Sequence, residues 1–233
     1  MPPSLPMFNP KDVPVLGFDS HLPTVSPDRL EPQALRERFR YPPIWTPEHS
    51  VEAKFSDRLP ALAAVLMPLV MRDELMLLLT ERSHNLSTHS GQIAFPGGRT
   101  DDTDQDAVAT ALREAYEEIT LPRHHIEVLG TLPTYVTGSA FIITPVVALV
   151  KPGFKLIPNP GEVADVFEVP LSFLMNPAHH RRHETEFEGV LRQWLSMPYS
   201  GSVGQTPGSE TLERYIWGAT AGMLRNFYRF LIA

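Results

Sequence analysis

FPGGRTDDTDQDAVATALREAYEEITL, residues 95–121, joins a pair of glycines to a helix crowded with glutamates near its end. Val108, Ala111, Leu112, Ala115 and Ile119 recur at helical spacing and predict one face packed on a core. The acids of DDTDQD offer an N-cap for that helix, and Pro122 closes it, because the residue before a proline avoids the α region. Glu114, Glu117 and Glu118 fall in one sector at the border of the apolar stripe, with Arg113 beside them. Like charges three or four residues apart on a helix cost about 0.2–0.5 kcal/mol per pair, and the C-terminal end of a helix favours cations. A carboxylate crowd placed against both effects points to a compensating cation.

Clustered carboxylate oxygens suit a hard divalent ion such as Mg²⁺, which keeps several waters and bridges to substrate phosphates, so phosphate-ester or anhydride chemistry is the inference. The competing reading is a solvated acidic face on which Arg113 pairs with Glu117 at the i, i+4 spacing and nothing is bound. Phe95-Pro96-Gly97-Gly98 shifts the weight. Two consecutive glycines ahead of the helix let the backbone approach a ligand or turn a carbonyl toward a metal.

Working outward, ALAAVLMPLV (61–70) and ELMLLLTE (74–81), separated by a polar turn, predict a hairpin. A polar loop, RSHNLSTHSG, leads to the short apolar QIAFPGG. After the helix, IEVLGTLP and FIITPVVALV read as strands separated by TYVTGS; VADVFEVPLSFLM reads as a strand running into a helix. ETEFEG and VLRQWLSM are two further strand candidates, and WGATAGMLRNFYRFL is an amphipathic helix. Prolines crowd residues 1–58, which are expected to form an extended arm on the main domain of residues 59–233, with one short helix at PQALRERFR. Strands mixed with two or three helices predict an α+β or α/β/α sandwich.

Composition narrows the functions. The formal net charge of −7 gives no general affinity for nucleic acid or an anionic membrane, so a polyanionic substrate must be drawn in locally, most simply through a metal. The absence of cysteine excludes a disulfide framework, a thiolate metal site and a cysteine nucleophile. MPPSLPMFNPKDV lacks a basic region and an apolar run, so no secretory signal is expected; the most apolar run is interrupted by Arg72, Asp73 and Glu74, and a cytoplasmic location is the expectation. His179–His183, HHRRH, matches no ligand spacing and is expected to be an exposed loop. Trp194, Trp217 and Phe227 offer faces for adenine, although aromatics at such positions are mostly core or interface.

The 95–121 stretch resembles the Nudix hydrolases, whose signature runs Gly, five residues, Glu, seven residues, Arg-Glu-apolar-x-Glu-Glu-x-Gly-apolar. Here Gly98 is followed after five residues by Asp104 and after eight more by Arg113, Glu114, Ala115, Tyr116, Glu117, Glu118, Ile119, Thr120 and Leu121. Asp104 stands for the usual Glu, one residue is inserted, and Thr120 replaces the last Gly. Leu78-Leu79-Thr80-Glu81-Arg82-Ser83, Gly91 and Phe95–Gly98 are similar to the segment that precedes this signature in the coenzyme A pyrophosphatase branch, with Ser87 where that branch carries a second arginine.

The resemblance implies a Nudix fold, with a mixed sheet between helices, and hydrolysis of a nucleoside diphosphate derivative. It implies Mg²⁺ or Mn²⁺ held by the Gly97 carbonyl, Glu114, Glu117 and Glu118, with Arg113 orienting the glutamates and the base being Glu114 or a loop acid such as Glu162. Arg82, His89, Gly98 and Arg99 are the substrate-binding candidates, and His84 flanks the same loop. Coenzyme A or a thioester is the expected partner, giving 3′,5′-ADP and a 4′-phosphopantetheine species, with no nucleic acid and no membrane; a homodimer stays open. Hydrolysis of another nucleotide and a non-catalytic nucleotide sensor are the alternatives.

Overall fold

The computed structural model describes residues 9–54, 56, 58–86, 89–187, 189–202 and 211–233. In chain order the first elements are strand β1 (Gly17–Phe18) and helix α1 (Pro32–Arg40). Then follow β2 (Ala61–Met71), β3 (Leu75–Arg82), β4 (Ile93–Ala94), β5 (Gly97–Arg99), α2 (Ala107–Ile119), β6 (Ile126–Thr131), β7 (Tyr135–Val136) and β8 (Phe141–Val150). The chain ends with β9 (Val163–Pro170), α3 (Leu171–Leu174), β10 (Arg181–Phe187), β11 (Val190–Ser202), β12 (Thr211–Trp217) and α4 (Gly218–Ile232).

The expected hairpin is present as β2 and β3, which pair antiparallel around Leu69 and Leu77. β2 also runs parallel to β8, from Ala61 opposite Phe141 to Val70 opposite Val150, so the main sheet is mixed. Its path is β4-β3-β2-β8-β6, with β5 on β2, β7 on β8 and β9 on β3. Both faces are covered, which is why β2 and β8 read as continuous apolar runs instead of alternating ones. Ala64, Leu66, Val70, Leu78, Val146 and Ala148 pack with Ala111, Leu112, Ala115 and Ile119 of α2. The intervening residues Met67, Leu69, Leu77, Leu79, Val147 and Leu149 point to the opposite face and join Leu195, Met197, Ile216, Leu224 and Phe227.

That second face carries more structure than the sequence suggested. TYVTGS contains β7, and TLERYIW, for which no strand is expected, forms β12. β1, β10, β11 and β12 make a second, antiparallel sheet. The HHRRH expectation is corrected here: His180 and His183 are buried and Arg181 opens β10. A run of polar residues concealed their burial because both histidines have hydrogen-bond partners inside. His180 Nε2 donates to the Leu174 carbonyl at 2.8 Å, leaving Nδ1 to accept from Arg225 at 3.0 Å, and His183 Nε2 meets Ser196 Oγ at 2.8 Å. Burial first, with Arg225 adding to it, pushes the His180 pKa down to about 4 and keeps the ring neutral. Among the described residues no helix is long and apolar enough to cross a membrane.

Residues that precede β2 enter this face directly. Val25, Leu30 and Leu35 are buried, Arg29 and Arg38 donate to the Leu231 carbonyl at the end of α4, and Asn226 accepts from the Glu48 and His49 amides. The deepest contact is ionic. Arg225, 1% exposed, donates from Nε to Glu48 at 2.7 Å and lies 3.1 Å from Asp19, while Arg182 bonds the same two acids at 2.7 and 2.9 Å. Burial alone would raise the Glu48 pKa, but the bonds from Arg225 and Arg182 outweigh it and hold the carboxyl down to about 2. Glu48→Ala is therefore expected to lower the unfolding free energy by about 3 kcal/mol, because a buried guanidinium loses a partner, whereas Glu127→Ala, on the exposed pair with Arg36, costs less than about 1 kcal/mol. Urea unfolding at pH 7 measures both. Because the folded value lies below the ordinary 4.5, the Glu48 contribution is complete above pH 4.5 and fades as pH falls toward about 2.

Candidate active site

Helix α2 is anchored at its start by Asp106, whose side chain accepts from the Ala109 amide at 2.7 Å. Its end is fixed by Thr120, left-handed at φ 56°, the conformation a glycine adopts without strain. The Thr120 hydroxyl bonds the Ile157 carbonyl at 3.1 Å, and Asn159 N donates to the Glu118 carbonyl at 2.8 Å. These bonds tie the loop that carries Glu162 to the C-terminal end of α2. The Glu162 carbonyl in turn accepts from Ser83 at 2.8 Å, next to Arg82.

Arg113 organises the acids. Nε and Nη2 grip Asp104 in a fork at 3.0 and 2.8 Å, Nη2 also donates to the Arg99 carbonyl, and Nη1 reaches Glu114 at 2.9 Å and Glu117 at 3.0 Å. Asp104, a methylene shorter than glutamate, still reaches because its loop folds back: the Asp101 amide donates to Asp104 at 2.9 Å. The Arg113 bonds, then the Asp101 amide, hold the Asp104 carboxyl well below the usual carboxylate range.

Glu118 sits deeper, 5% exposed, and accepts from the Gly97 amide at 3.2 Å. Burial is the main influence on its carboxyl; Glu114 and Glu162 add repulsion, the Gly97 amide and Arg82 oppose, and the net result is a pKa near 8. Glu114 is pushed up by burial and by Glu117 and Glu162, against the pull of Arg113. The glycines allow this crowding. A Cβ on Gly98 would stand 2.6 Å from the Glu114 carboxyl, and one on Gly97 would stand 2.5 Å from the Ala64 carbonyl and 2.6 Å from Val65 Cα.

The fold thus brings Gly97, Gly98, Arg113, Glu114, Glu117, Glu118, Glu162 and Arg82 into one electrostatic neighbourhood. Arg82 Nε is buried and takes no hydrogen bond among the described residues. Other candidates are less engaged. His89, at φ 57°, bonds Gln92 at 2.9 Å on the exposed side of its loop; His84 is mostly exposed and faces Glu81; Arg99 contributes its carbonyl to Arg113 while its residue is exposed. Ser87 lies outside the described residues. Phe227 is core, and Trp194 stacks on His183 with ring centroids 5.4 Å apart. Two roles escaped the sequence reading: the Gly97 amide as the hydrogen-bond donor to Glu118, and the Asn159–Glu162 turn as the tie between α2 and β3.

A model of the NUDIX domain matches residues 60–194. The chain belongs to the Nudix hydrolases. It is 49% identical over 162 residues to an uncharacterised Nudix hydrolase, NudL, of Photorhabdus laumondii, covering 70% of this chain and 80% of that one. It is 40% identical to the NudL of Escherichia coli K12 over 70% and 79% of the two chains. A solved Caenorhabditis elegans Ap4A hydrolase overlaps 51% of this chain and 85% of its own at 18% identity, with a TM-score of 0.42. Membership makes this chain a pyrophosphohydrolase with the α+β Nudix fold, a mixed sheet between helical layers.

Nudix hydrolases generally use divalent metal ions. Among the described residues no three His, Asp or Glu side chains already converge as a metal shell, because Glu114 and Glu117 turn to Arg113 and Glu118 turns to the Gly97 amide. The donor chemistry nevertheless fits. The acids supply hard oxygens, two of them have raised pKa values that a cation would lower, and Gly98 leaves room against Glu114.

Two expected outcomes follow from the crowding. Between the ordinary 4.5 and about 8 the folded protein keeps a proton on Glu118 that the unfolded chain has lost, so metal-free stability falls as pH rises through that window. Glu118→Gln should flatten that slope in thermal unfolding measured from pH 5 to 9, and calorimetric Mg²⁺ titration of the wild type below pH 8 should release protons. Gly97→Ala should cost about 2 kcal/mol, since it meets the β2 backbone, whereas Gly98→Ala should cost less than about 1 kcal/mol yet weaken Mg²⁺ binding about tenfold by displacing Glu114. Paired melting curves and Mg²⁺ titrations separate the two.

Proposed function

We propose that this Nudix hydrolase cleaves the pyrophosphate linkage of coenzyme A or its thioesters, giving 3′,5′-ADP and 4′-phosphopantetheine species, with Mg²⁺ or Mn²⁺. The observation that carries the reading is the path of the second motif. Leu78–Ser83 forms the end of β3, Phe95–Gly98 leads into β5, and the loop between them closes with Arg82 N on the Gln92 carbonyl and Gly91 N on the Arg82 carbonyl. That path leaves Arg82 Nε buried and, among the described residues, unbonded in the field of Glu118. A guanidinium in such a position suits a substrate phosphate, which it can grip through two N–H groups.

In this reading the Gly97 carbonyl, Glu114, Glu117 and Glu118 hold the metal, which supplies Lewis acidity toward the phosphates and a low-pKa water. Asp104 holds Arg113, and Arg113 bridges Glu114 and Glu117 through Nη1. Glu114 or Glu162 accepts the proton of the attacking water; the two share one field, and burial raises the Glu114 pKa. Arg82 receives the substrate, with Gly98, Arg99 and His89 as the further candidates.

Ser87 favours a second reading, in which the substrate is a nucleoside diphosphate derivative without the 3′-phosphate. Product chromatography with Mg²⁺ and a panel of coenzyme A, acetyl-coenzyme A, dephospho-coenzyme A, ADP-ribose and 8-oxo-dGTP decides between them. The expectation is release of 3′,5′-ADP with the highest kcat/KM on coenzyme A or its thioester, reduced about a hundredfold by Arg82→Ala. A higher kcat/KM on dephospho-coenzyme A, ADP-ribose or 8-oxo-dGTP overturns the coenzyme A reading and leaves the hydrolase assignment standing.

A further inference from the structure

Beyond residue 194, where the family match ends, β12 contributes one side chain that reaches into the main sheet. Arg214, 8% exposed, donates from Nη1 to Glu81 at 2.5 Å and from Nη2 to Asp165, and its guanidinium stacks 4.6 Å from the centre of the Phe167 ring. Glu81 on β3 and Asp165 on β9 are direct cross-strand partners. Two acids in that relation repel, and a planar fork spanning both converts the repulsion into a clamp. The β3–β9 register shifts immediately afterwards, between Glu81 and Arg82. Arg82 is thus the next residue beyond the clamp on one strand, and Glu162 lies three residues before Asp165 on the other, joined across the gap by Ser83 N on the Glu162 carbonyl.

We propose that Arg214 is a positioning residue for the pyrophosphohydrolase reaction: by bridging Glu81 and Asp165 it fixes the end of the β3–β9 ladder, and so sets where Arg82 meets a substrate phosphate. The proposal rests on the reading that Arg82 holds such a phosphate. Its rival is direct contact with substrate, since Arg214 also lines a cleft of about 680 Å³ with His84, Gln92 and Tyr215.

The test combines a spectrum with kinetics. In protein labelled with ¹⁵N-arginine, the Arg82 Nε–H signal is assigned by its loss in Arg82→Ala. Arg214→Lys keeps the charge but cannot span both acids, and is expected to shift that signal while leaving those of Arg36 and Arg72, held by Glu127 and Glu168, in place. With coenzyme A and Mg²⁺, Arg214→Lys should raise KM about tenfold with kcat changed less than about threefold, and should add nothing in the Arg82→Ala background. Should Arg214→Lys fail to fold, the neutral triple variant Arg214→Met, Glu81→Gln, Asp165→Asn carries the same readouts. An unmoved Arg82 signal overturns the proposal, and so does a KM rise that persists without Arg82, which marks direct contact. If Arg82→Ala leaves KM unchanged, the phosphate-binding reading fails instead, while the spectrum still decides whether Arg214 positions Arg82.

Discussion

Arg113 donates to Asp104, the Arg99 carbonyl, Glu114 and Glu117 at once, and the acidic site depends on that one guanidinium. Its five bonds use all five N–H groups, so no donor remains for a ligand. The carboxylates it holds would otherwise repel on adjacent turns of α2, and Glu118 is kept from the same fork by its bond to the Gly97 amide. The result is an acid cluster whose mutual repulsion is only partly relieved, with Glu114 and Glu118 both displaced toward the protonated form. Such a cluster favours a cation, because a cation relieves what Arg113 leaves over.

That arrangement needs rigid support, and two-sided burial of β2 and β8 provides it. One set of alternate side chains seats α2, and the other seats the second sheet and α4. Asp19 and Glu48, which precede β2, join the second layer through a network with Arg182 and Arg225, in which each buried charge has an opposite partner. Arg214 makes a further connection of the same kind, from the C-terminal layer to the end of the strand that bears Arg82. The layer outside the recognised domain is therefore joined to the site by charged contacts as well as by packing.

Much of this was legible in the linear order of residues. The α2 face, its Asp106 cap, the β2–β3 hairpin and the span of β8 follow from local periodicity and turn chemistry, which act over a few residues. The family signature survived the change to Asp104 because the turn before it folds back, Asp101 N to Asp104, and sets the shorter carboxylate against Arg113. β12 and the start of β10 were not legible. Arg181 to His183 and Glu213 to Arg214 are polar in sequence, yet they lie in strands where Arg182, His183 and Arg214 find side-chain partners on other elements.

By itself the sequence determined the acid crowd on one helix, the glycine pair before it, and the apolar runs that become the central strands, because each is a property of neighbours along the chain. Only the tertiary structure decided that Arg113 is saturated, that Gly97 donates to Glu118, that Glu162 and Arg82 share the field of those acids, and that His180 is neutral and buried. Those outcomes depend on desolvation and on contacts between distant segments, such as Ser83 with Glu162 and Arg214 with Glu81. The charge state of a carboxyl is set by burial and by which charges the fold brings near it, and neither quantity is written in residue order.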